Sequence, residues 1–301
     1  MTNIGPTPPS GTRVRDISAL VAATCLLLSG AFLRPVPVQG QTALKVMDWN
    51  IHHGLDTGGA NNLDRVVTWI VTVNPQIVSL NEVEKENGYN NNADEPAVLV
   101  SALESRTGSP WYQCFAQRNG ATRGQGNLIL SRIRIESCQS QLLSAMRSVA
   151  RATVLVNNVM VAVFSTHLDD ASASTRATQV AEITTAAAAA PAERLLMGDF
   201  NASPGAAELE LLRTGWDDAW AVAAAAGTAV SYPGNAAGNT RNSRIDQIWR
   251  FKAGARLVLQ SAQVYDTGTI SDHRPVSATY AVTNSQTSPP PVPLNVRVVG
   301  R

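Results

Sequence analysis

The middle section of the chain, residues 111–166, most restricts the fold, because it contains predicted strands but no predicted helix. Short apolar runs follow one another there, and Asn157-Asn158 between the last two is typical of a hairpin turn. The predicted strands are 111–117, 126–131, 133–143, 149–156 and 159–166. Strands joined by short turns pair antiparallel, so this section predicts antiparallel sheet.

Strand–helix–strand units flank this section on both sides. Apolar residues recur at helical spacing over Leu63–Val73 and stop at Asn74-Pro75, which predicts a helix that ends there. Further helices are predicted near 95–106, 172–190 and 205–213, and further strands at 44–51, 76–83, 195–197, 244–251, 256–265 and 274–281. The pattern predicts an α/β (α+β) fold, a four-layer α/β sandwich in which helices flank two packed mixed β-sheets.

The first 40 residues have the composition of a segment that directs export. Arg13 and Arg15 precede an apolar run over Ile17–Leu33, and the small residue Gly40 follows it. The run is shorter than the roughly 20 residues of a membrane-spanning helix, which favours a cleaved signal peptide over an uncleaved membrane anchor. In both cases the predicted location is secreted, periplasmic or extracellular, with membrane contact only through an uncleaved anchor.

Residues 41–283 are predicted to form one catalytic domain, followed by a short tail. Residues 284–301 begin as a Pro-rich linker that contains Pro289-Pro290-Pro291. Their last part is either the start of a truncated β domain or a plain tail.

Charge and cysteine content restrict the partners and the compartment. Residues 1–40 hold three of the 24 basic and one of the 23 acidic residues, so the rest of the chain has a net charge near −1. That balance gives no bulk attraction to nucleic acid or to anionic membranes. Cys114 and Cys138 lie in predicted strands and form either a disulfide, which an exported protein permits, or two buried thiols.

Polar side chains that a core would not tolerate unpaired stand at the ends of the predicted strands. All four histidines of the chain fall in these polar blocks, whereas structural histidines would be scattered. The blocks are Asp48–His53, 80–83, 165–169, 197–201, 244–246 and 271–275. The clustering indicates a chemical site.

The residue types in these blocks favour a divalent metal and a phosphate. Glu82 and Asp199 follow buried strands, Asp272 precedes one, and Asn50 adds an amide. Such oxygen donors suit Mg²⁺, with Mn²⁺ as an alternative, whereas Zn²⁺ prefers nitrogen and sulfur. The imidazoles suit a phosphate, because a charged one donates to its oxygens and a neutral one accepts a proton from water.

The order of these residues resembles the endonuclease/exonuclease/phosphatase superfamily, also called deoxyribonuclease-I-like. The resemblance extends from residue 44 to about 281. It is carried by Asn50, Glu82, His167, Gly198-Asp199-Phe200-Asn201, Arg244-Ile245-Asp246 and Ser271-Asp272-His273. Gly198-Asp199-Phe200-Asn201 and Ser271-Asp272-His273 with Pro275, both in the family's order and at roughly its spacing, make an accidental match improbable.

The resemblance implies a metal set and a phosphate set. Glu82 corresponds to the main metal ligand, Asn50 to an asparagine that assists the metal and the phosphate, and Asp272 to a second acidic residue at the metal. These roles imply attack of water on phosphorus with the metal stabilising charge.

The remaining residues correspond to the family's catalytic groups. Asp199 corresponds to the group that orients or deprotonates water, and Asn201 to one that holds the phosphate. His273 corresponds to a histidine that stabilises the pentacovalent state, with Asp246 as its partner. His167 resembles a phosphate-contacting histidine.

Two positions depart from the family pattern. Asn81 stands where Gln is frequent, which keeps the amide. Glu84 stands where nucleic-acid-cutting members often have a basic residue, and a carboxylate there is expected to repel a DNA backbone. His52 and His53 either line the cleft or are solvated, and Arg118 and Arg123 either contact a substrate phosphate or belong to a solvated loop.

The sequence thus predicts an exported, Mg²⁺-dependent phosphoric-ester hydrolase, a phosphodiesterase or phosphatase that acts as a monomer. Its expected substrates are lipid-linked or small-molecule phosphate esters. A secreted endonuclease acting on DNA or RNA is the alternative. A non-catalytic binding module is a third hypothesis, opposed by the full set of acidic residues and histidines.

Overall fold

Two mixed β-sheets, flanked by helices, form the centre of the protein in the computed structural model, which describes residues 41–284. The strands are β1 Gln41–Asn50, β2 Ile77–Lys85, β3 Tyr112–Gln117, β4 Gly124–Ser131, β5 Ile135–Leu143, β6 Arg147–Val156, β7 Val159–His167, β8 Glu193–Asp199, β9 Trp216–Asp218, β10 Ala229–Val230, β11 Asp246–Phe251, β12 Leu257–Val264 and β13 Val276–Thr283. The helices are α1 Leu63–Val73, α2 Glu95–Thr107, α3 Ala173–Ala188, α4 Glu210–Gly215 and α5 Ala219–Ala225, with short 3₁₀ helices at His52–Gly54, Tyr89–Asn92 and Ala207–Leu209.

The strand order confirms the predicted sandwich of two mixed sheets. The first sheet has seven strands in the order β10-β12-β13-β1-β2-β4-β3, and the second has six in the order β5-β6-β7-β8-β11-β9. β1 and β2 are parallel, as are β7 and β8, while the middle section of the chain pairs antiparallel as predicted. The carboxyl ends of β1 and β2 and of β7 and β8 carry the polar blocks.

Three apolar layers hold the helices and sheets together. One lies between the sheets, where Val46 of β1 and Met197 of β8 are fully buried. The second packs the outer face of the first sheet, including Trp49, against α1 and α2. The third packs the outer face of the second sheet, including Phe164, against α3 and α4. Alternation along β1 therefore directs Asp48 and Asn50 toward the space between the sheets and Trp49 toward the helices.

The segment from Trp216 to Val230 is the largest part of the described chain that the sequence did not resolve into elements. It forms β9, α5 and β10, all of them short. α5 contacts β12 of one sheet and β11 of the other. Elements this short carry little periodic signal, and tertiary packing stabilises them.

The predicted ends of the chain lie outside the described residues. This applies to the signal peptide or anchor at 1–40 and to the tail beyond Asn284. Within residues 41–284, none of the helices has the length and apolar character needed to cross a bilayer.

A disulfide joins the two sheets at one edge. Cys114 of β3 and Cys138 of β5 are bonded, with their Cα atoms 5.4 Å apart. β3 is an edge strand of the first sheet and β5 an edge strand of the second. Of the two alternatives that the sequence left open, the disulfide is the one present.

Gly198 of β8 allows the backbone of β7 to approach closely next to the polar blocks. Its φ is +150°, and a Cβ there would lie 1.9 Å from the backbone oxygen of Thr166 on the neighbouring strand. We expect Gly198→Ala to lower the free energy of unfolding by more than about 3 kcal/mol, because backbone rather than a mobile side chain would have to move. Urea unfolding followed by circular dichroism would measure this.

Gly205→Ala is the matched control for this prediction. Gly205 is exposed, and a Cβ there would meet nothing within 4 Å. Its free energy of unfolding should stay within about 0.5 kcal/mol of the wild type. Equal stabilities for the two variants would contradict the close approach at Gly198.

Candidate active site

Strand register places three of the predicted residues side by side on the second sheet. His167 at the end of β7 pairs with Asp199 at the end of β8, and Asp199 pairs with Asp246 at the start of β11. On the first sheet, Asn50 of β1 pairs with Asn81 of β2 in the same way. The polar blocks therefore meet at one end of the sandwich because each begins or ends a strand.

The Asn81 side chain joins the two sheets below this site. Its amide nitrogen donates to the Thr166 carbonyl at 2.8 Å, and its oxygen accepts from the Asp199 backbone N–H at 3.0 Å. The same nitrogen donates to Asn127 Oδ1 at 2.9 Å. Asn81 is fully buried, so the sequence departure at this position retains an amide that fixes where Asp199 lies.

Glu82 is turned toward the site by an irregularity in β2. The register of β2 with β4 shifts between Leu80 and Val83, and Glu82 has a φ of 56°, which non-glycine residues seldom adopt. The Glu82 side chain is 18% exposed, unlike the core residues on either side of it. A β-bulge of this kind re-aims a side chain, here toward the mouth between the sheets.

Asn50 lies between two carboxylates. Its amide nitrogen is 3.1 Å from Glu82 Oε1 and 3.1 Å from Asp199 Oδ2. Asn50 Oδ1 accepts the His52 backbone N–H at 3.0 Å, so the amide nitrogen is the atom that faces the two carboxylates. The two predicted acidic groups thus converge on one point, from different sheets.

His53 holds the outer side of Glu82. Its Nε2 is 3.1 Å from Glu82 Oε2, and its Nδ1 is 2.6 Å from Glu84 Oε1. Burial lowers the pKa of His53, but the hydrogen bond to Glu84 and the charge of Glu82 more than offset this and raise it. Tyr89 stacks on the imidazole at 4.6 Å. Of the two alternatives for His53, the structure shows the one in which it lines the cleft.

Glu84 is enclosed, unlike the exposed carboxylate that the sequence suggested. Its side chain is 1% exposed and is held by His53 and by Asn87. Its pairing with the His53 imidazole offsets part of its charge. The expected repulsion of DNA by Glu84 stays a prediction, with less support than the sequence alone gave it.

His273 and Asp246 form a buried pair. His273 Nδ1 is 2.8 Å from Asp246 Oδ2 and 3.0 Å from Oδ1. Burial alone lowers the pKa of His273, but the charge and hydrogen bond of Asp246, with Asp199 and Asp272 beyond, raise it to about 10. The other nitrogen, Nε2, lies 3.8 Å from Asp199 Oδ2 and makes no hydrogen bond within residues 41–284. A charged imidazole therefore presents an unused N–H to the site.

Asp199 lies at the centre of the charged groups. Burial and then the negative charge of Asp246 raise the pKa of Asp199 to about 7. Its Oδ1 accepts the Asn201 backbone N–H at 2.9 Å, which leaves Oδ2 directed at Asn50, His167 and His273. A carboxyl group with a pKa near neutrality can both accept and release a proton.

His167 and Asn201, both predicted to contact the phosphate, contact each other. The Asn201 amide nitrogen is 2.9 Å from His167 Nε2 and 3.0 Å from the Leu168 carbonyl. Since a carbonyl only accepts, the nitrogen must face it, and His167 Nε2 then accepts as well. Burial and then the charge of Arg147 lower the pKa of His167 well below its ordinary value, which agrees with a neutral imidazole.

Asp272, the second acidic residue predicted at the metal, contacts an arginine and lies near His273. Its Oδ2 is 2.7 Å from Arg241 Nη2, and its Oδ1 is 4.0 Å from His273 Nε2. Its role as a metal ligand stays a prediction.

The donor set nevertheless fits a hard divalent cation. Glu82 Oε1 and Asp199 Oδ2 face the same amide, and ligand atoms of Asp199, Asp246 and His273 lie within 4.8 Å of one another. Asp246 and His273 are already paired with each other, which makes Glu82 and Asp199 the freer donors. Oxygen donors of this kind, with room for water, are what Mg²⁺ and Mn²⁺ prefer.

Sequence reasoning assigned no role to Asp48. This carboxyl is fully buried, and burial and then the charge of Asp246 raise its pKa well above the usual range, against a hydrogen bond from Ser79 that lowers it. The sequence does hold an indication that Asp48 belongs to the site. Asp48 precedes Asn50 by two residues and therefore lies on the same face of β1. A Glu84–His53 contact had no such signal, because the two residues are 31 positions apart.

Comparison with known proteins agrees with this geometry. The model of the Endonuclease/Exonuclease/phosphatase family matches residues 49–273. A solved endonuclease/exonuclease/phosphatase structure from Beutenbergia cavernae has 21% sequence identity and a TM-score of 0.65, covering 82% of this chain and 73% of that one. One from Bacteroides vulgatus has 17% identity and a TM-score of 0.64, covering 80% of this chain and 99% of that one.

A structure of D. rerio TDP2 in complex with a single-strand DNA product is also similar. It has 18% identity and a TM-score of 0.59, covering 79% of this chain and 99% of that one. At these identities the solved structures show the fold alone. No curated protein matches the chain.

Asp246→Asn is expected to lower the pKa of His273 from about 10 toward its ordinary value of about 6.5, because the charge that offsets burial is removed. An NMR titration of the His273 ring protons would measure it. A raised histidine pKa stabilises the fold fully below pH 6.5, and the effect is lost as the pH rises through about 10. The stability difference between wild type and variant should therefore shrink over that range.

Asp272→Asn is the control for this titration. Its carboxylate is 4.0 Å from His273 Nε2 and partly exposed, so its removal should lower the pKa of His273 less than Asp246→Asn does. An unchanged His273 pKa in Asp246→Asn would show that the pair does not set the charge of the imidazole.

Proposed function

The chain belongs to the endonuclease/exonuclease/phosphatase family, and we propose that it is an exported, metal-dependent hydrolase of phosphoric esters. The observation that carries the proposal is the convergence of Glu82 and Asp199 on the Asn50 amide, 3.1 Å from each, beside a charged His273 with an unused Nε2–H. Folding alone gains nothing from gathering buried charges in this way. Catalysis of phosphoryl transfer requires such a group of charges.

Mg²⁺, or Mn²⁺ in its place, is the proposed cofactor. Glu82 would hold it, with Asp199 next to it and Asp272 as a further predicted ligand, and Asn50 would join them through Oδ1 once its amide turns, because its nitrogen now faces the two carboxylates. A bound divalent cation supplies Lewis-acid polarisation of a phosphoryl oxygen.

The residues around the phosphate have distinct tasks in the proposed reaction. Asp199 orients the attacking water and takes its proton as the new oxygen–phosphorus bond forms, and the bond to the leaving oxygen breaks on the opposite side. His273 donates through Nε2 to a phosphate oxygen, while Asp246 holds its other nitrogen. Asn201 and His167 form one wall of the phosphate site through their mutual contact.

Small-molecule or lipid-linked phosphate esters are the proposed substrates. A net charge near −1 outside residues 1–40 gives no general attraction to a polyanion. A nuclease is the second candidate, favoured by the structural similarity to TDP2 with its DNA product and by the enclosure of Glu84.

Export of the protein is a further part of the proposal. It is supported by the basic and apolar composition of residues 1–40 and by the Cys114–Cys138 disulfide, a bond that persists in oxidising compartments. Determining the amino terminus of the protein recovered outside the cytoplasm would test it. A terminus near Gln41 is expected, and exclusive recovery of reduced full-length protein from the cytoplasm would oppose it.

A substrate panel tests the catalytic proposal. Inorganic phosphate release from monoesters, phosphocholine release from sphingomyelin and plasmid nicking would each be measured with Mg²⁺ and with EDTA. We expect ester hydrolysis with Mg²⁺ only, and a loss of about 10²–10⁴-fold in Asp199→Asn, because the proton acceptor is removed.

Asp64→Asn serves as the control in this panel. The Asp64 side chain is 81% exposed and pairs with Arg106, which is not one of the proposed active-site residues. Plasmid degradation without turnover of the other esters would favour the nuclease. Activity that Asp199→Asn leaves unchanged would favour the binding module.

Metal binding gives a second test that needs no turnover. We expect His53→Ala to weaken Mn²⁺ binding about 10–100-fold, because Glu82 loses the group that orients its Oε2. Electron paramagnetic resonance of free Mn²⁺ would measure the dissociation constant. His52→Ala is the matched control, since His52 has a similar φ of 52° against 58° and its ring bonds the Leu55 carbonyl, whereas the histidine paired with Glu82 is His53. Equal weakening in both variants would contradict the role of His53.

A further inference from the structure

A cleft opens toward the end of the sandwich that lies away from the proposed active site. Its volume is about 450 Å³. That is space for roughly 15 non-hydrogen atoms, at the ~30 Å³ that each water occupies in the liquid. Arg250 of β11 lines the cleft and stands four residues after Asp246, which is about 13 Å along a strand at ~3.3 Å per residue. Tyr280 of β13 also lines it and pairs with Leu44 near the start of β1, whereas Asn50 of the active site ends that strand.

Apolar side chains supply most of the walls of this cleft. β12 contributes Leu257 and Leu259, and α5 contributes Ala219 and Val222. α5 contacts β11 of one sheet and β12 of the other, so the cleft lies where the two sheets face each other. Concave and mostly apolar hollows of this size, with a few polar groups in them, are typical of sites for small molecules.

The Tyr280 hydroxyl is the polar group of the cleft that lacks a partner. The residue is fully buried, and its hydroxyl oxygen makes no hydrogen bond within residues 41–284. The charges of Arg250, Asp218 and Asp217 act on this hydroxyl, so it lies on the side where β11 and β9 meet. Burial raises the pKa of Tyr280 above its ordinary value, which keeps the phenol protonated and able to donate. A buried donor without an acceptor is unfavourable, and a ligand that supplies one removes that penalty.

The charged side chains around the cleft are already engaged. Arg250 Nη2 is 2.5 Å from Asp217 Oδ2, and Arg250 Nη1 donates to the Gly254 carbonyl at 2.6 Å. Lys252 is exposed, where solvent screens its charge, and its Nζ donates to the Arg213 carbonyl at 2.6 Å. An ion that entered the cleft would lose its hydration while Arg250 stayed committed to Asp217. The cleft therefore favours an uncharged ligand.

We propose that this cleft binds an uncharged small molecule with an apolar body and one carbonyl or hydroxyl group, whose oxygen accepts from the Tyr280 hydroxyl. The apolar body, of up to roughly 15 non-hydrogen atoms, lies against Leu257, Leu259 and Val222. The residues of the cleft are not those of the proposed active site. The inference therefore does not depend on the proposed function, and the failure of one leaves the other untouched.

Fluorescence titration of the full chain in EDTA tests the cleft without metal or turnover. The probe is 6-propionyl-2-(dimethylamino)naphthalene, an uncharged fluorophore whose ketone is an acceptor and whose emission shifts to the blue when it leaves water. 2-Acetylnaphthalene, 2-ethylnaphthalene and 2-naphthoate then compete with it. We expect saturable binding of the probe, displacement by 2-acetylnaphthalene, and weaker displacement by 2-naphthoate because its carboxylate must be desolvated.

Tyr280→Phe tests the polar contact. It removes a hydroxyl that has no partner within residues 41–284, so we expect circular dichroism to show a retained fold. The inhibition constant of 2-ethylnaphthalene divided by that of 2-acetylnaphthalene cancels their shared apolar contacts, and it should fall about fivefold in the variant. Tyr265→Phe is the matched control, because the Tyr265 hydroxyl instead bonds Ser277 at 2.9 Å, and its ratio should equal that of the wild type.

Val222→Trp tests the location of the ligand. Val222 lies in α5 at the cleft and its side chain is 42% exposed, so a larger side chain can fill the cleft from the solvent side. We expect the variant to lose saturable binding of the probe. Val71→Trp, in α1, is the matched control, since Val71 is 36% exposed and also lies in a helix, and it should bind the probe as the wild type does.

Four results would each overturn the proposal. The first two are the absence of saturable probe binding by the wild type, and equal probe binding by Val222→Trp and Val71→Trp. The third is tighter binding of 2-naphthoate than of 2-acetylnaphthalene, which would make the cleft an anion site. The fourth is a ratio of inhibition constants that Tyr280→Phe leaves unchanged, because water and not the ligand would then be the partner of the hydroxyl.

Discussion

The fold depends on holding several carboxyl groups together in a layer from which water is largely excluded. Asp48, Asp199 and Asp246 are each at most 2% exposed, and burial together with the charge of Asp246 raises the pKa of both Asp48 and Asp199. Such charges are costly unless a partner compensates them. His273 supplies part of that compensation by remaining charged against Asp246. A divalent cation at Glu82 would supply more, which links the stability of this region to its proposed chemistry.

Polar contacts between the sheets keep these groups in place. The Asn81 amide connects β2 to β7 and β8, and the Ser79 and Ser165 hydroxyls meet at 2.7 Å between the same two sheets. The Cys114–Cys138 disulfide adds a covalent link at the edge. Apolar packing alone would let two sheets slide, whereas directional bonds fix one alignment. The separation of Asp199 from Asn50 is therefore determined by the framework and not by the two side chains alone.

The proposed active site contains several residues with irregular backbone. Glu82, His53 and Asn201 have positive φ values, and Gly198 has the tightest neighbouring backbone contact among the glycines described. Residues in sparsely populated backbone regions cost free energy and persist where the surrounding structure enforces them. Here the unfavourable backbone conformations of Glu82 and Asn201 direct their side chains into the space between the sheets. Regular strands would have directed these side chains by simple alternation instead.

The sequence by itself determined the sandwich, the bounds of α1 and the set of polar blocks, because hydrophobic period, turn residues and residue order are local properties. It also assigned Asn50, Glu82, His167, Asp199, Asn201, Asp246 and His273 to one site, and the structure brings these residues together. Tertiary structure alone decided that Glu84 is enclosed by His53, that Asp272 pairs with Arg241, and that Arg118 lies beside His167 while Arg123 pairs with Glu86. Each of these depends on contacts between residues far apart in the chain, and on which side chain a loop or bulge turns inward. Such orientations are set by packing across the two sheets, which no local pattern records.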